Sequence, residues 1–217
     1  MLKLDDIHVK IGSVEAVRGF SMTLESGRMV GLAGRNGAGK TTVMRAIMGL
    51  AKLSVGAITL DGEDLAKVDV HRRAGLGFGY MPETRGLIPD LTVEENILLP
   101  TWVTPGLDGA ERLRLVYDAM PELKPMAGRK ALLLSGGQQK MVALGRALTV
   151  GTRLLLLDEP FEGVAPVLAQ RLSDVISALK SENLSILMSM SELTHSATLL
   201  DHVWGIERGA NMEVETA

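Results

Sequence analysis

MVGLAGRNGAGKTTVMRAIMGL (29–50) is the stretch on which the fold turns. Met29 to Ala33 is a short apolar run that stops at Gly34, as a buried strand does. The next eight residues, Gly34-Arg35-Asn36-Gly37-Ala38-Gly39-Lys40-Thr41, match the phosphate-binding pattern G-x-x-x-x-G-K-[ST]. VMRAIMGL then continues with helical spacing. Strand, glycine-rich loop and helix, in that order, make an anion cradle. Glycines let main-chain N–H groups turn inward without Cβ interference, and a helix starting at Lys40 points its positive dipole end at the same anion. Lys40 is placed to reach terminal phosphates, and the Thr41 hydroxyl to ligate Mg²⁺. Gly34, Asn36, Gly37, Ala38, Gly39, Lys40, Thr41 and Thr42 are the candidate contacts to the nucleotide.

More than a hundred residues downstream, Leu154-Leu155-Leu156-Leu157 ends at Asp158-Glu159. A continuous apolar run suits a parallel strand covered on both faces. Its carboxyl end is where open α/β sheets bind ligands. Asp158 is suited to the Mg²⁺ shell, and Glu159 to polarising a water aimed at a γ-phosphate.

The remainder alternates. Strands are expected at 2–9, 20–24, 57–61, 76–81, 184–189 and 202–206, and helices near 92–98, 109–119, 137–149, 166–180 and 192–200. Asp61-Gly62 is a hairpin signal, and Thr92 with Glu94 and Glu95 a helix start. Such alternation implies a parallel sheet with right-handed crossovers. The 217 residues contain no cysteine, which excludes disulfides and cysteine-ligated zinc. A formal charge of −3 gives no bulk attraction to nucleic acid. No apolar stretch is long enough to span a membrane, and MLKLDDIHVKI does not read as a signal peptide.

Leu134-Ser135-Gly136-Gly137-Gln138 brings a family into view. LSGGQ resembles the signature sequence of ABC ATPases, and it falls between the phosphate loop and LLLLDE, as in that family. The resemblance covers nearly the whole chain. It implies an α/β P-loop NTPase (RecA-like) core, an N-terminal antiparallel β subdomain and an inserted helical subdomain at about 85–148. It also implies that Ser135, Gly136, Gly137 and Gln138 face the γ-phosphate held by a second subunit, as homodimer or heterodimer, with ATP and Mg²⁺ as cofactors. Integral-membrane permease subunits are the implied partners. They would hold the chain at the cytoplasmic face of the cell membrane, with a permease helix in the groove beside Glu83.

Three departures from the family pattern matter. The residue that usually stacks on adenine is aromatic; here Ile11, with Val17, is expected to pack on the base without π-stacking. Glu83 stands where Gln is usual, able to meet Mg²⁺ or the attacking water. With FEGVAP (161–166), it resembles importers of the branched-chain amino acid type. The usual switch histidine, ten residues before Asp201, is Ser191, which can donate a hydrogen bond but carries no positive charge. His195 reads as a surface residue. Slow hydrolysis by an isolated homodimer is the expectation that follows.

Overall fold

The computed structural model describes residues 1–180, 184–192 and 199–213. The chain opens with β1 (Leu2–Ile11), β2 (Val14–Leu24), β3 (Met29–Ala33), α1 (Lys40–Ile47), β4 (Leu53–Leu60) and β5 (Glu63–Asp64). Next come β6 (Phe78–Met81), α2 (Val93–Leu98), α3 (Gly109–Ala119) and α4 (Gly136–Val150). The remaining elements are β7 (Leu154–Asp158), α5 (Pro166–Leu179), β8 (Ser185–Met190), β9 (His202–Glu207) and β10 (Ala210–Met212). The helix expected at 192–200 lies largely outside the described residues, as does His195.

Two sheets form. β2-β1-β4-β5 is antiparallel, and its β4–β5 hairpin turns through Asp61 and Gly62 at φ 51° and 86°. β10-β9-β3-β8-β7-β6 is parallel except at the β10 edge. Period-2 alternation explains the leucine run of β7. Leu154 and Leu156 pack with Val30, Val43 and the antiparallel sheet, whereas Leu155 and Leu157 pack against the helical side with Val142, Leu144 and Ile176. Both faces of β7 are therefore buried, as its run of four leucines requires.

Helix starts follow their caps. Thr92 heads α2 in a capping box with Glu95, Asp108 caps α3, and Ser135 heads α4 in a capping box with Gln138. Pro121 and Pro125, read as interruptions, lie in a 3-10 turn over Pro121–Met126. β2 begins earlier than its apolar pattern indicates. Alternation back from Leu24, Met22 and Phe20 would turn Arg18 inward and Val17 outward. A register shift beside Gly19 (φ 75°) inverts this: Ile7 pairs with Phe20, but His8 pairs with Arg18. A Cβ at Gly19 would stand 2.9 Å from Asp6 Oδ1, so the irregularity needs glycine.

Candidate active site

β3, β7 and β8 are in register at their carboxyl ends, with Ala33 opposite Met190 and Asp158 opposite Ser189. The loop before α1, the Glu159 turn and Ser191 therefore leave the sheet along one edge. α1 is preceded by Gly39 at φ 113°, a conformation that a side chain would strain, and a Cβ there would lie 2.9 Å from Ala16 O.

Lys40 is only 5% exposed. Its ammonium donates to Gly34 O at 2.5 Å and Arg35 O at 3.1 Å, and lies 2.9 Å from Glu159 Oε1. The Ser191 hydroxyl donates to Glu159 Oε1 at 2.6 Å, and its main-chain N–H to Oε2 at 3.2 Å. The same hydroxyl lies 2.8 Å from Asn36 Oδ1. Glu159 itself adopts φ 49°, unusual for a residue with a side chain, and its N–H donates to Ser189 Oγ at 3.0 Å. Cation, carboxylate and hydroxyl thus meet in one place.

Asp158 is fully buried beside them. It accepts from Thr41 Oγ1 at 3.2 Å, Ser189 Oγ at 2.6 Å and the Tyr80 hydroxyl at 3.4 Å. Burial, and then the neighbouring Asp158 carboxylate, push the Tyr80 phenol well above its ordinary range, so it stays protonated and keeps donating. The Thr41 and Asp158 oxygens are spaced much like adjacent ligands of octahedral Mg²⁺, about 2.9 Å apart for bonds of 2.0–2.1 Å. With Glu83 lining the same groove as Thr41, the oxygen donors fit that ion.

This groove, about 330 Å³, is lined by Ala16, Asn36, Gly37, Gly39, Lys40, Thr41, Thr42, Glu83 and Glu159. Glu83 and Thr41 also line a second groove of about 550 Å³ with Arg45, Leu99, Val103 and Arg146, so Glu83 stands between the two. Ala38 is buried in the core, and its N–H donates to Arg35 O at 3.0 Å. Ser135–Gln138 lie elsewhere, at the surface start of α4, with Arg85 (φ 67°) donating from its guanidinium to Gln139 Oε1 at 2.9 Å.

One expectation is corrected. Val17 has no exposed surface and packs in the core, turned inward by the irregularity at Gly19, so it offers nothing to a base. Ile11, at the end of β1, is 53% exposed, and Ala16 rather than Val17 reaches the groove. Ser189 and Tyr80 were not legible as site residues; only the strand register places them on Asp158.

The fold and this groove define a P-loop nucleotide-binding α/β protein. Comparison with known proteins narrows the class. The ABC transporter family model matches residues 17–162. A high-affinity branched-chain amino acid transport ATP-binding protein, BraG of Pseudomonas aeruginosa, is 32% identical over 209 residues, covering 96% of this chain and 90% of that one. A lipopolysaccharide export system ATP-binding protein, LptB of Haemophilus influenzae, is 30% identical over 211 residues, covering 96% and 88%. Among solved structures, an ATP-binding subunit of an ABC transporter superposes with TM-score 0.86 at 27% identity, over 98% of this chain and 88% of that chain. A bacterial ABC transporter cassette solved as a dimer gives TM-score 0.88 at 23% identity, over 98% and 97%, a likeness of fold. The chain belongs to the ABC transporter family, as an ATPase subunit of a transporter. Among the described residues, no helix is long and apolar enough to cross a membrane.

Proposed function

We propose that the chain hydrolyses ATP to energise import of a small solute, a branched-chain amino acid, an amide or a similar molecule, through partner permease subunits at the cytoplasmic face of the membrane. The observation that carries the catalytic part is the meeting of Lys40, Glu159 and Ser191, 2.6–3.3 Å apart, beside the Thr41–Asp158 pair. Lys40 leaves Glu159 to hold β- and γ-phosphate oxygens, and main-chain N–H groups of the 34–41 loop surround them. Glu159, once released, accepts a hydrogen bond from the attacking water and orients it. Thr41, Asp158 and Glu83 would hold Mg²⁺, which would neutralise charge on the phosphates. Ser135, Gly136, Gly137 and Gln138 of a second subunit close the site from the far side. The groove beside Glu83, with Val103 77% exposed at its rim, receives a cytoplasmic helix of the permease. Import is favoured by Glu83 and FEGVAP and by the amino-acid transport relatives BraG and LivF; the LptB relatives, named for export, favour the opposite direction.

Phosphate release by the purified protein tests this reading. Glu159→Gln should lower turnover by about 10²–10⁴-fold with ATP still bound, and Lys40→Ala should abolish both. A second reading, an ATP-binding regulatory subunit that does not hydrolyse, is favoured by Ser191, which holds both Glu159 oxygens without supplying charge. Under that reading Glu159→Gln leaves the rate unchanged.

A further inference from the structure

Lys140 is a buried cation that the chemistry above does not use. It belongs to the first turns of α4, the helix headed by Ser135, and is 2% exposed. Among the described residues, no carboxylate oxygen lies within ion-pair distance of its ammonium. Instead, Nζ donates to three main-chain carbonyls of a single turn: Glu159 O at 2.7 Å, Pro160 O at 3.3 Å and Glu162 O. Burial, reinforced by the nearby Arg85 charge, pulls the ammonium below the usual lysine range, so the environment resists the charge it encloses. An apolar side chain of similar volume would fill the space without that penalty. What it could not supply is three donors converging on one turn.

That turn is the one that sets Glu159. The residue sits at φ 49°, a strained conformation that surrounding contacts must hold. Above, its N–H is held by Ser189 Oγ at 3.0 Å. Below, its carbonyl is held by Lys140. The peptide units on either side of the Glu159 Cα are thereby fixed, one from β8 and the other from α4.

We propose that Lys140 is a positioning residue, tying the main chain of Glu159 and the turn after it to the helix that carries Ser135, so that docking of a second subunit's nucleotide on Ser135 is felt at Glu159. This rests on the two-subunit reading given above. It makes the start of α4 and the Glu159 turn one body: a nucleotide gripped by Ser135 in one site adjusts the water-orienting carboxylate of the other.

Hydrogen exchange, read peptide by peptide with and without ATP and Mg²⁺, tests it in the wild type, Lys140→Met and Lys140→Arg, all checked for cooperative unfolding. Methionine keeps the volume and removes the donors; arginine restores donors. Protection of 34–42 by ATP reports nucleotide binding, and protection of 159–164 reports the coupling. The expected result is protection of both windows in the wild type. In Lys140→Met, the 34–42 protection should persist while that of 159–164 falls at least tenfold, with partial recovery in Lys140→Arg. Turnover should fall at least tenfold in Lys140→Met with KM changed less than threefold. Equal protection of 159–164 in wild type and Lys140→Met would overturn the proposal. Absence of protection at 34–42 in the wild type would instead overturn the nucleotide reading on which it rests.

Discussion

At the scale of single residues, the site is a set of groups that hold one another. Lys40 neutralises Glu159, Ser191 donates twice to the same carboxylate, and Asp158 accepts from three hydroxyls. Under the proposed function, nucleotide binding breaks the Lys40–Glu159 pair and frees both groups for the phosphates and the water. Under the same proposal, the side that would meet the base is more weakly furnished. Ile11 is half exposed and offers an apolar contact with no π-face. Ile11→Tyr should therefore tighten ATP binding, and a base–aromatic stack of about 1–3 kcal/mol corresponds to roughly 5- to 150-fold in Kd. Titration of wild type and variant with ATP and GTP checks this. The wild type should bind both with similar affinity, and a strong preference for either, or no gain from tyrosine, would contradict it. Lys40, Thr41, Asp158 and Glu159 were legible because their chemistry is tied to fixed spacing. Val17 was given to the base by family resemblance alone; the irregularity at Gly19, which leaves no hydrophobic signature in the sequence, turns it into the core.

At the scale of elements, register does what motifs alone cannot. β8 carries no motif, yet pairing with β7 sets Ser189 against Asp158, and pairing with β3 brings Ser191 over Lys40. The short strands β5 and β10, two and three residues long, carried too few side chains for alternation to show. The start of β9 is fixed differently. Asp201 accepts from the Met29 N–H at 2.9 Å and from Lys180 Nζ at 2.9 Å, joining β3 to the end of α5. These contacts, the Met29 N–H first, lower the Asp201 carboxyl below its ordinary 3.8. A depressed folded value means stability fully present above pH 3.8 and lost as pH falls through the lower folded value. Asp201→Asn should cost roughly 1 kcal/mol at pH 7, the exposed ion pair contributing little. Thermal unfolding of both proteins between pH 7 and 2.5 should show the gap closing in acid; a gap independent of pH would count against the assignment.

At the scale of the whole molecule, the groups that would complete the site are split between two surfaces. The groove at Lys40 has no contribution from Ser135–Gln138, which sit at the start of α4 with free surface before them. A cassette of this family solved as a dimer shares the fold. The parallel α/β core was legible from the order of strand, loop and helix at 29–50 and from the leucine run at 154–157, whereas the separate antiparallel sheet was implied by family resemblance. The proposed division of the chain between two binding surfaces rests on family resemblance, since no local pattern says where a second subunit docks. Mixing two inactive variants, Lys40→Ala and Ser135→Arg, and measuring phosphate release tests this most directly. A dimer of one copy of each holds one site with an intact Lys40 loop facing an intact Ser135 turn, so the mixture should recover turnover that neither variant shows alone. A mixture as inactive as its components, with exchange of subunits demonstrated, would contradict the account.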